Sequence, residues 1–476
     1  MVILLAALSG FFMFTAFAPL SLWIAAPLAI ALLLVTLESS GLFWRLVSCY
    51  VFGLFFLAPL LHWTSTYVGS APWSILVILE SLFFLPLAFL TPIRSWRVFL
   101  FPSLWITIEF CRNRFPFGGF GWSRVAYSQS SAPDAMVAGI GGATILSFMT
   151  VSLGVMGYLF FRHKSKQGLV ILTGVIAASA LSYLPSGHTG ENISILAVQG
   201  GVQTLGLNFN SRAREVFHNH LQATRSYLTS TGEKPNLIIW PENAVDVDPF
   251  TDNTVASELN ALVNSYKIPI LLGAVLDSHD GLHNASILWQ PGKGATSIYI
   301  KRHLTPFGEY IPLRSLAQKF SPFVQDVRDF TPGTAQVIHS VDGTKIGSVI
   351  CFELLDDRLV SQTAQNSSLL AVQTNSATFG LSPESAQQLS ITRIRAIENQ
   401  RSIVSVSTTG ISAFIQKNGT ISSQTSINHS QTIFGSVLTN NSRTWAQRWG
   451  ASLELIAMFG PFLGVFIVFA RRRLRR

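Results

Sequence analysis

The chain has 476 residues, of which 49% are hydrophobic and only 12% charged, with a mean hydropathy of +0.40. A single soluble domain does not fit this composition, because so much apolar side chain must face lipid or an unusually large core. The net charge of +9 does not mark a nucleic-acid binder: the densest basic run (Arg471, Arg472, Arg473, Arg475, Arg476) follows an apolar stretch, with no aromatic-interleaved groove beside it.

Apolar stretches near the ~20 residues needed to cross a bilayer fall at 1–18, 20–37, 43–63, 73–92, 97–110, 136–161 and 168–184, with another at 451–470. The first two and the fifth are short enough for a tight hairpin or partial insertion. A cleavable leader is set aside, since no basic residue precedes Val2–Leu8 and no small-residue cleavage site follows. The expected layout is an N-terminal transmembrane domain over 1–184 with about seven spans, an α/β domain over 185–450, and a C-terminal span with a basic tail over 451–476.

With the N-terminus inside, the cytoplasmic connections hold Arg45, then Arg94 and Arg97, then Arg162, Lys164 and Lys166, then the terminal arginines. The opposite connections hold few basic residues apart from Arg112, Arg114 and Arg124. This bias places 185–450 outside the cytoplasm. Within the spans, His62, Glu80 and Glu109 are costly in hydrocarbon. Arg112, one turn after Glu109, is its expected structural partner, and Trp122 is an expected interface anchor.

Short β-rich runs recur in the middle region at Ile193–Gln199, Leu237–Trp240, Ile268–Val275, Ala285–Trp289, Ser297–Ile300, Lys345–Cys351, Leu369–Gln373 and Ile403–Ser407. Helical patterns lie between them at Ser211–Tyr227, Val255–Tyr266 and Pro383–Asn399, which predicts layered sheets and helices. Three of the strands deliver a reactive side chain at or just past their ends: Trp240-Pro241-Glu242, Tyr299-Ile300-Lys301 and Ile350-Cys351-Phe352-Glu353. Cys351 is the only cysteine of this region, the others being Cys49 and Cys111 in or beside apolar stretches, so it has no partner for an internal disulfide. Taken singly, each residue has a bland explanation: a solvated carboxylate, a snorkelling lysine, a small core hydrophobe. Their ordered combination does not.

These motifs resemble the nitrilase superfamily, whose centre is an ordered Glu, Lys, Cys set, and most nearly its membrane-embedded branch, the apolipoprotein N-acyltransferases. The resemblance is carried by Trp240-Pro241-Glu242, by the loop Lys301-Arg-His-Leu-Thr-Pro-Phe-Gly-Glu309-Tyr-Ile-Pro312, by Cys351-Phe352-Glu353 and by Arg393-Ile-Arg-Ala-Ile-Glu398 with Thr409-Gly-Ile-Ser-Ala413. It extends into the apolar part through Phe17-Ala-Pro19, Trp105-Ile-Thr-Ile-Glu109, Gly119-Phe-Gly-Trp122 and Tyr127-Ser-Gln129. The chain departs from the pattern at Ser376, Thr378, Gln388 and Thr408, where relatives usually have Asp, Trp, His and Asn, and in the Gln199-Gly-Gly-Val-Gln203 segment.

The resemblance implies a multispan helical membrane domain plus a nitrilase-like α-β-β-α sandwich on the periplasmic side of a bacterial inner membrane. It implies Glu242, Lys301 and Cys351 as catalytic residues, Glu309 and Glu353 as supporting carboxylates, and Trp240, Phe307, Tyr310 and Phe352 as candidates for the substrate pocket. The donor would be a membrane phospholipid and the acceptor the α-amine of a diacylglyceryl cysteine on an apolipoprotein, with the enzyme a monomer. No cofactor or metal is expected: no His/Cys cluster has zinc spacing and no Gly-rich phosphate loop is present. A nitrilase-type amidase tethered to the membrane, or an inactive lipoprotein-binding relative, would carry many of the same residues.

Overall fold

A computed structural model of the chain describes residues 1–38, 40–90, 96–182, 189–202, 214–319, 322–325 and 328–474. Arg94, Arg475, Arg476, the expected boundary at 184–185 and the start of the helix expected from Ser211 lie outside the described residues. The backbone forms two compact units, one of Met1–Ser65, Ser70–Ser186 and Thr444–Arg476, the other of Thr66–Gly69 and Gly187–Arg443.

The first unit is helical: Val2–Ala16, Ala25–Glu38, Leu42–Leu60, Ser70–Leu82, Phe101–Arg112, Ala138–Phe161, Ser165–Ser182 and Trp445–Leu474. Among the described residues, Leu42–Leu60, Ser70–Leu90 and Ala135–Phe161 are long and apolar enough to cross a membrane, and Val2–Ala16, Ala25–Glu38 and Lys166–Ser182 are apolar but shorter. The stretch expected at 97–110 is a 12-residue helix, Phe101–Arg112, entered through a 3-10 turn at Trp96–Leu100. Ala138–Phe161 kinks at Gly141 and Gly142, a glycine pair being a recognised cause of kinks. Further along, Gly154 lets this helix close on Ala25–Glu38, since a Cβ there would sit 2.4 Å from the Ile30 Cβ. Small residues allow such close approach where lipid supplies no hydrophobic drive.

Several charged residues of this unit are paired with each other. Arg112 Nε donates to Glu80 Oε2 at 2.6 Å, and Arg112 also reaches the Ser123 hydroxyl. Arg112 is thus not the partner of Glu109, as helical spacing suggests. Glu109 instead accepts from Trp105 Nε1 at 3.1 Å and from the Val125 N–H at 2.9 Å, with Arg124 Nε 3.8 Å away. Arg114 Nη2 meets Glu454 Oε2 at 3.1 Å. The three arginines that stood against the orientation bias therefore each face an acid.

The second unit contains strands β1 (Thr189–Gln199), β2 (Leu237–Ile239), β3 (Ile270–Ser278), β4 (Gly281–Gln290), β5 (Gly294–Ile300), β6 (Ile338–Val341), β7 (Thr344–Ile350), β8 (Leu369–Thr374), β9 (Ile403–Ser407), β10 (Ala413–Ile415), β11 (Ile421–Gln424) and β12 (Gln431–Asn440). Among the described residues they form two six-stranded sheets, ordered β12-β1-β2-β3-β4-β5 and β11-β10-β9-β8-β7-β6. Strand alternation explains the layering. Ile195, Ala197, Leu237, Ile239 and Leu271 of the first sheet join Ile346, Leu369, Ala371, Val404 and Val406 of the second in one apolar layer. Their neighbours Leu196, Val198, Ile238, Ile270 and Leu272 point the other way, into a core with Phe217 and Leu221 of helix Glu215–Thr231 and Leu259 and Val263 of helix Asn253–Tyr266. Helices Asp357–Gln365 and Glu384–Asn399 cover the outer face of the second sheet, which completes the α-β-β-α order. β1 pairs antiparallel with β12 from Thr189 opposite Asn440 to Gln199 opposite Gln431, so the first and last strands of the unit lie side by side.

Candidate active site

β1, β2 and β3 run parallel, as do β7, β8 and β9, so the loops after β2, β7 and β8 leave their sheets at C-terminal ends, where α/β domains present reactive groups. After β2 the chain turns through Pro241 and Glu242 directly over β3. Gly273 of β3 is required there, because a Cβ would lie 2.3 Å from the Pro241 carbonyl and 2.7 Å from the Glu242 Cα. Gln373, at the end of β8, donates to the Trp240 carbonyl at 2.7 Å and ties this turn to the second sheet.

Lys301 leaves β5 with its N–H on the Asn284 carbonyl at 2.8 Å. Its ammonium is 1% exposed and sits between two carboxylates, Glu309 Oε2 at 2.7 Å and Glu242 Oε1 at 3.4 Å. The Asn284 amide binds the same two acids, at 2.6 Å to Glu242 and 2.8 Å to Glu309. The Thr305 N–H gives Glu309 a further donor at 2.7 Å.

Cys351 follows β7 with φ +49°, a left-handed conformation that disfavours a side chain. It starts a 3-10 turn, Cys351–Leu355, and Glu353 locks that turn. Glu353 Oε2 accepts the Ile350 N–H at 2.8 Å, while Oε1 accepts the Tyr299 hydroxyl at 2.7 Å and the Arg302 N–H at 2.8 Å. Arg395, within the Arg393–Glu398 motif, holds the turn from the helix side. Its Nε donates to the Leu354 carbonyl at 2.7 Å, and its guanidinium meets Asp357 at 2.6 Å and Glu398 at 2.5 Å.

Burial decides the charge pattern. It raises Glu242, and although Lys301 pulls the carboxyl down, Glu309 adds to the rise and the net shift is upward. Burial also opposes the Glu309 charge, yet Lys301 and the Asn284 and Thr305 donors outweigh it, so Glu309 falls below the usual glutamate value. Lys301 would be lowered by burial but is held well above the ordinary lysine range by Glu309 and Glu242. Burial pushes the Cys351 thiol well up, Glu242 reinforces this, and Lys301 works against it. The resting site is a neutral thiol beside a charged Lys301–Glu309 pair, with Glu242 shifted toward its protonated form and Glu309 away from it.

Electrostatic coupling thus links Glu242, Lys301, Glu309 and the partly buried Cys351, with Glu353 coupled to Lys301. Trp240 does not join them. Alternation along β2 turns it to the helix side, where it is fully buried among Phe217, Ile238 and Leu272 and donates to Thr224 Oγ1 at 3.0 Å. It has no surface left for a substrate. Phe307 is 49% exposed, Tyr310 is half-buried, and Phe352 is buried edge-on against His303 at 5.5 Å.

Two residues escaped the sequence reading. Asn284 lies within β4, in a run of buried positions, where an amide is the one visible signal. Glu384, at the start of its helix, is also buried and acts electrostatically on both Cys351 and Glu242. Departures from the family pattern gather here too: Gln388 Nε2 is 3.8 Å from Cys351 Sγ, Thr408 Oγ1 donates to the Glu242 carbonyl at 3.3 Å, and Ser376 hydrogen-bonds Glu384. Among the described residues no group of three or more His, Cys, Asp or Glu side chains is arranged to hold a metal ion.

Residues 9–156 match the family model for the apolipoprotein N-acyltransferase N-terminal domain, and residues 197–447 match that for carbon-nitrogen hydrolases. A protein of Mycolicibacterium smegmatis named apolipoprotein N-acyltransferase is 32% identical, over 98% of this chain and 86% of its own. Proteins of the same name from Azotobacter vinelandii and Shewanella oneidensis are 28% and 27% identical, over 94% and 96% of this chain and 91% and 93% of theirs.

Proposed function

Because the chain belongs to the apolipoprotein N-acyltransferase family, we propose that it moves an acyl chain from a membrane phospholipid to the α-amine of an S-diacylglyceryl cysteine on an apolipoprotein, through a thioester on Cys351. It is an acyltransferase of the carbon-nitrogen hydrolase superfamily, with helices apolar enough to cross a membrane. The observation that carries the mechanism is the buried ammonium of Lys301, clamped between Glu242 and Glu309 and acting electrostatically on the Cys351 thiol.

Glu242 takes the thiol proton as sulfur attacks the donor ester, and returns it to the departing lysophospholipid oxygen. Lys301 supplies positive charge where the carbonyl oxygen becomes negative, and Glu309 keeps that lysine charged and in place. The amine then attacks the thioester, Glu242 takes a proton from it, and the thiol is released. This chemistry asks for no metal or cofactor. The basic residues at Arg45, Arg97, Arg162 and Lys164 support a multi-pass orientation with 185–450 on the periplasmic side of a bacterial cytoplasmic membrane.

Purified protein incubated with phospholipid vesicles is expected to gain one acyl mass on Cys351, read by mass spectrometry. A diacylglyceryl-cysteine peptide should discharge that adduct and carry the acyl group on its amine. Cys351→Ala should form neither product while keeping the wild-type unfolding profile. Transfer by Cys351→Ala at the wild-type rate would overturn the mechanism, and an adduct lost equally fast without peptide would make the protein a hydrolase.

A further inference from the structure

The carboxylates of the site are not equally provided for. Glu242 and Glu309 share Lys301, and Glu353 is saturated by backbone N–H groups and Tyr299. Glu384, 2% exposed, has only neutral partners: Ser385 Oγ donates to its Oε2 at 3.2 Å, and the Ser376 hydroxyl also hydrogen-bonds it. Ser376 in turn accepts from Ser407 Oγ at 3.3 Å. Among the described residues no lysine, arginine or histidine forms an ion pair with Glu384.

Its helix nonetheless borders the thiol. Gln388, one helical turn on and therefore on the same helix face, reaches Cys351 Sγ at 3.8 Å. The Glu384 charge bears on the thiol and on Glu242. A carboxylate buried without a counter-charge is unfavourable unless a cation comes to it. The second substrate of the proposed reaction is such a cation, since a free α-amine has a pKa of about 7.7–8 and arrives largely as ammonium.

We propose that Glu384 receives the α-ammonium of the incoming acceptor beside the acylated Cys351 and removes its first proton. The inference rests on the acyltransfer reading above. The ammonium gives one proton to the Glu384 carboxylate, which frees the nitrogen lone pair. That pair forms the N–C bond to the thioester carbonyl carbon. A second proton passes from nitrogen to Glu242, the C–S bond breaks, and the thiolate takes that proton from Glu242. Glu384 releases its proton to water and the cycle closes. Burial and the Glu242 charge raise Glu384, the Ser376 and Ser385 hydroxyls oppose them, and the net is a rise to about 7, near the proton affinity of the amine. The other charged groups acting on the thiol are Lys301 and Glu309.

The test separates the two half-reactions in the full-length protein. In Glu384→Gln, thioester formation from phospholipid without acceptor is expected to change less than acyl transfer does, and not to fall, because a negative charge acting on the Cys351 thiol is removed. Acyl transfer to a diacylglyceryl-cysteine peptide should fall by ~10-fold or more, with a higher KM for peptide and a pH profile displaced to the alkaline side, where the amine arrives neutral. Because Ser376 hydrogen-bonds Glu384, the double variant Ser376→Asp/Glu384→Gln returns a carboxylate to the same space and should recover the second half-reaction. An equal loss in both half-reactions without recovery in the double variant, or an unchanged second half-reaction, would overturn the inference. Wild-type protein that forms no thioester or no amide would instead sink the acyltransferase reading itself.

Discussion

Lys301 is held by two carboxylates of unequal character, and the inequality can be read as stability against pH. The folded-state pKa of Glu309 is lowered, so its stabilising contribution is complete above the ordinary glutamate value of about 4.3 and is lost as pH falls below it. Glu242 runs the other way. Its raised pKa makes a contribution present in acid that is lost as pH rises through the folded value. Glu309→Gln is therefore expected to lower stability at neutral pH by on the order of 2–4 kcal/mol, with the difference from wild type closing below pH ~4. Glu242→Gln should leave stability at neutral pH unchanged or higher while reducing activity by ~100-fold or more. Urea unfolding at several pH values, set beside the transfer assay, checks both. Equal destabilisation by the two variants would contradict this division of roles.

At the scale of elements, the site depends on one strand passing directly beneath another's exit turn. Gly273→Ala would put a methyl into the Pro241 carbonyl, a backbone atom that cannot rotate aside. The expected outcome is a loss of about 1–3 kcal/mol in thermal unfolding, with a larger proportional loss of activity because Glu242 is displaced. The same geometry explains what could be read from sequence. Glu242, Lys301 and Cys351 were legible because each follows an apolar run in a contiguous motif. The eight strands expected from such runs all form. β6, β10, β11 and β12 were missed, because Ala413–Ile415 and Ile421–Gln424 are very short and β12 mixes Gln431, Thr432, Gly435 and Ser436 into its apolar positions. Asn284 and Glu384 reach the centre from a mid-strand position and a helix start, and no local pattern announces that convergence. Trp240 was misjudged through its adjacency to Glu242, although alternation from Ile239 already turns it to the opposite face.

At the scale of the whole molecule, the apolar unit carries ion pairs among its described residues. Arg112 and Glu80 are both almost fully buried, so removing one partner strands the other. Glu80→Gln should lower the unfolding transition in detergent by about 3 kcal/mol, and the double variant Glu80→Gln/Arg112→Met should recover part of that loss. A single variant as stable as wild type would show the pair to be dispensable. In the other unit, the strand that begins the fold and the one that ends it are hydrogen-bonded neighbours, Thr189 opposite Asn440. A module whose two ends meet can be spliced into a host chain at a single point without stretching either partner.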